Sequence, residues 1–159
     1  MKKTSKRKVA GFDRLHLGKL IGERELTLPL LAKRLEGEGL SLSMDGEGDI
    51  YVSDEALGYP FWVTLNRENK VVILYTFQEY ATDTGALDAY ETIQRVRLGP
   101  LTPQFILQGH RLYAHYFLSY RELLVVSHVY EAACRFAEYA ISLPPCEKGG
   151  SDGLARVLH

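Results

Sequence analysis

Histidine and cysteine side chains can serve as base, nucleophile or metal ligand. His128 and Cys134 lie six residues apart in one predicted helix, which separates them by about 240° around the helix axis. A base on one side of a helix cannot activate a thiol on the other side. His110 and His115 share a predicted strand at odd spacing, so they face opposite sides of a sheet and cannot bind one metal ion together.

Carboxylates could supply acid–base chemistry or bind a metal ion. Glu79 and Asp83 are one possible catalytic pair, although no pattern in the sequence brings them together. Between residues 45 and 49, acidic residues alternate with glycine as in a calcium-binding loop. The twelfth position of that loop would be Ala56, where calcium binding needs glutamate. We therefore expect a plain acidic turn and no bound metal.

Catalytic motifs do not occur in the sequence. It has no Gly-x-Ser-x-Gly nucleophile motif, no phosphate-binding glycine loop and no dinucleotide fingerprint. His115 shares a predicted strand face with Tyr113 and Phe117, which indicates a packed or interface histidine. The sequence therefore predicts a protein that is not an enzyme and uses no cofactor. An undescribed hydrolase is the alternative.

Length and composition indicate one domain with its own core. The 159 residues are 46% apolar and 25% charged, which is ordinary for a globular domain. Cys134 and Cys146 are spaced for neither zinc nor redox chemistry, which favours a reducing compartment. No apolar run approaches the roughly eighteen residues that a membrane span needs. We expect a cytoplasmic protein with no membrane contact.

Charge is distributed unevenly along the chain. The net charge is −1, yet the first eight residues carry five positive charges and no acid, which leaves −6 for residues 9–159. The positive charges belong to Lys2, Lys3, Lys6, Arg7 and Lys8. Such a segment is either a partly disordered, solubilising arm or a site that attracts polyanions such as nucleic acid.

The stretch from Phe61 to Phe77 has the clearest pattern in the chain. Two runs of β-branched and aromatic residues flank the polar residues 66–69, which predicts a hairpin with a four-residue loop. Alternation places Phe61 and Val63 on one face and Trp62 on the other. Both faces are largely apolar, so we expect this hairpin in the middle of a sheet that is covered on at least part of each side.

Helices and further strands are predicted on either side of this hairpin. Thr27 can cap a helix that ends at about Glu36, and Ser119 with Glu122 forms a capping box that would open a last helix. That helix would run to about Ser142 and is apolar over most of its circumference, which indicates burial inside the fold or against a second subunit. Periodicity predicts strands over 40–44, 49–53, 101–107 and 111–118 and a middle helix over 85–97.

This order of elements resembles the bacterial YbjN-like family, which shares its fold with type III secretion chaperones. The residues that carry the likeness are Leu28-Pro29-Leu30-Leu31-Ala32 followed by Gly39, the apolar–turn–apolar core from Phe61 to Leu74, and the last helix after Phe117-Leu118. The likeness spans about residues 26–142. The expected fold is α+β, an antiparallel sheet with helices in the order α-β-β-β-(β)-α-β-β-α.

The resemblance implies a small, acidic, cytoplasmic homodimer that binds another protein and has no catalytic centre. By position, it assigns Tyr90, Ile93 and Val96 of the middle helix to the dimer interface. The residues that it assigns to a groove for an extended client segment are Leu31, Leu35, Trp62 and Tyr75. Ordinary core packing is the alternative for each of these residues.

The chain is thus predicted to comprise a basic, partly disordered arm over 1–24, a YbjN-like α+β domain over 25–143 and a flexible tail over 144–159. The predicted function is that of a non-catalytic, homodimeric chaperone-like or regulatory adaptor protein of the bacterial cytoplasm. The alternative is a nucleic-acid-associated factor that acts through Lys2–Lys8 or through a partner protein that handles nucleic acid.

Overall fold

A computed structural model describes residues 20–80 and 103–140, together with Ala89, Glu91 and Ile93. Within these residues the fold is α+β, as predicted. The strands are β1 (Leu20–Gly22), β2 (Leu42–Met44), β3 (Ile50–Val52), β4 (Phe61–Asn66), β5 (Val71–Glu79), β6 (Gln104–Gln108), β7 (Arg111–Ser119) and β8 (Leu123–Val125). The helices with described bounds are α1 (Leu28–Gly37) and α2 (Val126–Ala140), and a short 3-10 turn spans Glu55–Leu57. Ala89, Glu91 and Ile93 are also helical and lie in the predicted middle helix.

The predicted central hairpin is confirmed as β4 and β5. These strands form the middle of a six-stranded antiparallel sheet in the order β2-β3-β4-β5-β7-β6. Their loop begins at Arg67, one residue later than predicted, and ends at Lys70, whose φ is 52°. Trp62 pairs with Tyr75 in the ladder, as the alternation requires.

The cap of the first helix was predicted correctly. The Thr27 hydroxyl accepts a hydrogen bond of 3.4 Å from the N–H of Leu30, which satisfies one of the free donors at the start of α1. Gly39 has a φ of +104° and lets the chain turn away after the helix. Pro103 lies immediately before β6, where its missing N–H costs no ladder bond.

The capping box predicted at Ser119–Glu122 is wrong. Ser119 is the last residue of β7 and pairs with Val71, so it is extended and does not cap a helix. The chain then forms β8, which pairs with β1 through Ile21 and Leu124 in a separate two-stranded sheet. A strand partner from the distant start of the fold therefore overrides the local helix signal, and α2 begins only at Val126.

Residues before the predicted boundary at residue 25 also pack in the fold. Ile21 of β1 is only 1% exposed and belongs to the main core. The side chain of Glu23 forms an ion pair of 3.0 Å with Lys70, which fixes the end of β1 beside the loop between β4 and β5. Residues 20–24 are therefore part of the domain.

The main core lies between the two helices and one face of the six-stranded sheet. Both helices contribute to it, α1 through Leu31 and Leu35 and α2 through Val129 and Phe136. The sheet contributes the aliphatic face of the hairpin and its neighbours. The Phe61 ring packs edge-on against Phe136 with 5.4 Å between the ring centroids, which joins the sheet to α2.

The last helix is amphipathic, and the prediction of a helix apolar over most of its circumference is wrong. Val125, which widened the predicted stripe, lies in β8 instead. His128, Glu131, Arg135 and Glu138 are exposed on the outer side of α2. One face is buried by the protein's own core and the other is polar, so α2 provides no reason to expect a second subunit against it.

Candidate protein-binding surfaces

The face of the sheet opposite the helices is built from stacked rings. Trp62 stacks on Tyr75 and on Phe77, with ring centroids 5.7 Å and 5.6 Å apart. Tyr113 stacks on His115 at 5.7 Å with only 9° between the ring planes. Neighbouring strands bring these rings together because each ring occupies the same face of its strand.

His115 is packed within this aromatic face, and that prediction is confirmed. Its ring lies 6.1 Å from Tyr75, 5.7 Å from Tyr113 and 5.9 Å from Phe117, and the residue is 3% exposed. Nδ1 is buried and has no hydrogen-bond partner among the described residues. Burial disfavours the charged form and lowers the pKa of His115 to about 4, so the imidazole is neutral at physiological pH.

The four residues predicted to line a client groove lie on opposite sides of the sheet. Leu31 and Leu35 are fully buried in the core between α1 and the sheet. Tyr75 is 1% exposed and Trp62 is partly buried, both on the aromatic face. In this conformation the four side chains do not share one groove, and Trp62 is the member that reaches the surface. Their role in client binding stays a prediction.

Of the predicted dimer residues, Ile93 is described and is partly buried, next to a buried Ala89 and an exposed Glu91. Tyr90 and Val96 lie outside the described residues. The residues of the basic segment, Lys2, Lys3, Lys6, Arg7 and Lys8, also lie outside them.

The acidic residues 45–49 form the predicted turn between β2 and β3. Asp45 Oδ1 accepts hydrogen bonds of 2.9 Å from the N–H groups of Glu47 and Asp49, and Gly48 has a φ of +89°. The carboxylate of Asp49 accepts a bond of 2.9 Å from the Tyr75 hydroxyl. No group of three or more His, Cys, Asp or Glu residues that could hold a metal ion occurs in the described parts of the chain.

Of the possible carboxylate pair Glu79 and Asp83, only Glu79 is among the described residues. Glu79 has a different partner: its Oε1 lies 2.7 Å from the Arg111 guanidinium. That guanidinium also lies over the Phe77 ring, 5.1 Å from its centroid. Glu79 thus holds Arg111 at the rim of the aromatic face.

A shallow cavity of about 460 Å³ lies beside the 3-10 turn, lined by Tyr51, Ser53, Glu55 and Tyr59 among others. Asp54 anchors its rim, since its two carboxylate oxygens accept bonds of 2.9 Å from the N–H groups of Ser41 and Ala56. These backbone bonds lower the pKa of the Asp54 carboxyl below its ordinary value. The cavity therefore has aromatic and acidic walls and adjoins the start of β2.

The two edges of the six-stranded sheet are the surfaces that sequence reasoning missed. Within the described residues, β2 and β6 each pair with one strand only. Met44 on β2 is 41% exposed, and Ile106 and Leu107 on β6 are 37% and 43% exposed. An uncharged apolar run after a proline is visible in the sequence at β6, but its place at an edge depends on the strand order.

A solved structure shares the architecture of this α+β protein. The chain is similar to the crystal structure of YbjN from E. coli, which is described as a candidate transcription regulator. The superposition has a TM-score of 0.55 at 12% sequence identity and covers 74% of this chain and 88% of YbjN. The protein therefore has a YbjN-like fold. The sequence matches no family model and no curated protein.

The helices were also compared with the requirements of a lipid bilayer. None of those in the described ranges is long and apolar enough to cross a membrane.

Proposed function

We propose that this protein is a non-catalytic binding module of the bacterial cytoplasm that forms a homodimer and holds another protein, as a chaperone or regulatory adaptor does. The observation that carries the proposal is the sheet edge at β6, which pairs with no second strand among the described residues. Its sequence, Gln-Phe-Ile-Leu-Gln, has no charge, and Ile106 and Leu107 are exposed. Native proteins protect such edges with charges or prolines, and neither occurs within β6 itself, so this apolar edge can serve as a pairing site.

The second copy of this chain is the occupant that fits β6. An antiparallel pair centred on Ile106 would place Gln104 opposite Gln108 of the partner, and Phe105 opposite Leu107. The strand is chemically symmetric about its centre, so every cross-strand pair joins like with like. A two-fold axis requires this kind of self-complementarity. No charge meets a like charge in this pairing, although residues 9–159 of each copy carry a net charge of −6.

The backbone groups point in the right direction for this pairing. The N–H of Tyr80 donates to the carbonyl of His110 at 2.8 Å. Since hydrogen-bonded residues alternate along an antiparallel pair, the even-numbered residues of β7 direct their N–H and C=O groups towards β5. Odd-numbered residues of β7 then bond to the even-numbered residues of β6. Phe105 and Leu107 therefore direct their N–H and C=O groups to the open side, in the positions that the pair about Ile106 uses.

The likeness to YbjN supports a shared architecture, and the resemblance to secretion chaperones adds the middle helix to the dimer interface through Tyr90, Ile93 and Val96. The net charge of −6 on residues 9–159 favours client segments that are basic or neutral. Trp62 is the groove candidate that such a segment would reach first, since Leu31 and Leu35 are buried.

Sedimentation velocity at micromolar concentration tests the dimer. We expect the unaltered protein to sediment as a dimer and Ile106→Lys as a monomer, because two lysines would face each other across the axis. The matched control is Met44→Lys, which places the same charge on the opposite edge and should leave the dimer intact. A strictly monomeric parent protein, or equal effects of the two substitutions, would refute pairing at β6.

A second candidate function is association with nucleic acid. Two observations favour it: the five positive charges of Lys2–Lys8 and the description of YbjN as a candidate transcription regulator. Binding of duplex DNA, followed by fluorescence anisotropy, should weaken with salt with a logarithmic slope of up to about −4 to −5 for five phosphate contacts. Removal of residues 1–8 should abolish the binding. Binding that persists without them would exclude this segment as the site.

A further inference from the structure

We infer that the basic segment Lys2–Lys8 docks on the open edge of β2 of the same molecule, as an added strand held by opposite charge. The first observation is the edge itself. The carbonyl of Ser41 accepts from the N–H of Ser53 at 3.1 Å, and the N–H of Asp45 donates to the carbonyl of Asp49 at 2.9 Å. Ser41 and Asp45 therefore face β3, and the alternating residues Leu42 and Met44 direct their N–H and C=O groups outward.

Charge identifies the occupant of this edge. The sequence from residue 35 to residue 66 contains seven acidic residues and no Lys, Arg or His. These acids are Glu36, Glu38, Asp45, Glu47, Asp49, Asp54 and Glu55. They flank β2 at both ends, from the end of α1 to the cavity beside the 3-10 turn. These acids favour a positively charged segment at this edge, and Lys2–Lys8 is the part of the chain with five positive charges and no acid.

The connection is long enough for docking within one molecule. The ion pair between Glu23 and Lys70 holds the end of β1 beside the loop between β4 and β5. The acidic turn lies at this same end of the sheet, because Ile50 pairs with Val63 near the end of β4. From β5 to β2 there are three strand spacings, or about 14 Å, and the three residue steps from Glu23 back to Leu20 add up to about 10 Å. Residues 9–19 can span up to about 36 Å when extended.

Tethering makes a weak contact sufficient. A short connection within one chain gives an effective concentration on the order of millimolar. A contact with an intrinsic dissociation constant of about 0.1 to 1 mM would then occupy roughly half to nine-tenths of the molecules. The three residues of β2 offer few backbone bonds, so the interaction depends on charge and should weaken when salt shortens the screening length from about 10 Å at 0.1 M to about 3 Å at 1 M.

This inference is independent of the dimer proposed above, because β2 and β6 are opposite edges of the sheet. It also relates the two candidate uses of the basic segment. A segment held on the acidic edge is not free to contact nucleic acid, so a polyanion and the edge would compete for it.

Paramagnetic NMR on the full chain tests the docking. A nitroxide is attached at Ser5→Cys after Cys134→Ser and Cys146→Ser, and amide signals are compared with those of the reduced label. At low salt we expect the Leu42–Met44 amides to lose at least half of their intensity. At 0.5 M NaCl the intensity should return, because the attraction is screened.

Two charge variants and one mixture complete the test. Replacing the five basic residues by Gln should remove the broadening, and Glu36→Gln with Glu47→Gln and Glu55→Gln should reduce it. A mixture of labelled chains without ¹⁵N and unlabelled chains with ¹⁵N should show no broadening. Broadening in that mixture would show docking between molecules, and absence of broadening at β2 at low salt would show no docking, so either result overturns the inference. The monomeric Ile106→Lys variant should give the same result as the parent protein.

Hydrogen exchange gives a second readout that needs no label. In the full chain, the amides of Leu42 and Met44 should exchange about two to ten times more slowly than in a chain without residues 1–8, in line with half to nine-tenths occupancy. Equal exchange rates in the two chains would contradict the docking.

Discussion

The Tyr75 hydroxyl donates a hydrogen bond of 2.9 Å to Oδ2 of Asp49. Tyr75 lies in β5 at the centre of the sheet. Asp49 closes the acidic turn and directly precedes β3. Burial of the ring and the nearby Asp49 carboxylate raise the pKa of Tyr75 well above its ordinary value, so the phenol keeps its proton. The bond therefore ties the β2–β3 turn to the buried strand β5.

Replacing this phenol should loosen that connection. Tyr75→Phe leaves the ring stack with Trp62 in place and removes the donor to a carboxylate, so the free energy of unfolding should fall by about 1 to 2 kcal/mol. Urea unfolding measures the change. Tyr116→Phe is the control, because the Tyr116 hydroxyl makes no hydrogen bond within the described ranges, and it should change stability by less than about 0.5 kcal/mol. Equal losses in the two variants would show that the bond contributes nothing.

His115 should make the protein less stable in mild acid. Its pKa in the folded protein is lowered to about 4, while an unfolded chain protonates histidine at an ordinary value near 6.5. Above about pH 6.5 the neutral His115 costs no stability, because neither the folded nor the unfolded protein then binds a proton at this residue. As the pH falls from about 6.5 towards about 4, only the unfolded state takes up the proton, and stability is lost.

The size of this effect is on the order of 2–3 kcal/mol across the window. His115→Phe keeps an aromatic ring in the stack and removes the titration. Urea unfolding of both proteins at several pH values should therefore show a smaller loss between pH 6.5 and pH 4 in the variant. All other titratable groups are the same in both proteins, so their effects cancel in the comparison. Parallel curves would show that His115 is not buried as described.

Leu35 tests whether the predicted groove residues act through the core. The side chain is fully buried between α1 and the sheet. Leu35→Ala should lower the free energy of unfolding by about 2 to 5 kcal/mol, since it leaves a cavity. Lys33→Ala on the exposed side of the same helix should cost less than about 0.5 kcal/mol. A stable Leu35→Ala variant would mean that this side chain does not hold the core together.

Local patterns predicted much of the fold because they reflect local physics. The alternation of Trp62 with Phe61 and Val63 fixes the two faces of the hairpin whatever its neighbours are. The same reasoning placed His115 with Tyr113 and Phe117. Thr27 caps α1 because the bond from the Leu30 N–H closes within one helical turn, so it needs no tertiary partner.

The remaining features depend on contacts between distant parts of the chain. Ser119 and Glu122 carry a helix signal, but β8 instead pairs with β1, about a hundred residues earlier in the sequence. The edge positions of β2 and β6 follow from the strand order, which the sequence pattern does not contain. Leu31 and Leu35 were assigned to a groove by position, and only packing shows that the core encloses them.

Cross-linking through single cysteines tests the central claim, a dimer paired at β6, most directly. In a chain with Cys134→Ser and Cys146→Ser, Ile106→Cys would face its own copy across the axis, with Cα atoms about 4.5 Å apart in a non-hydrogen-bonded pair. Gln104→Cys should not link to itself, because its copies would be about 14 Å apart, but should link to Gln108→Cys.

We therefore predict that mild oxidation yields disulfide-linked dimers of Ile106→Cys, and of Gln104→Cys mixed with Gln108→Cys, and none of Gln104→Cys alone. Linking of Gln104→Cys to itself, or no linking at Ile106→Cys under conditions where the protein remains folded, would contradict the pairing and with it the proposed dimer.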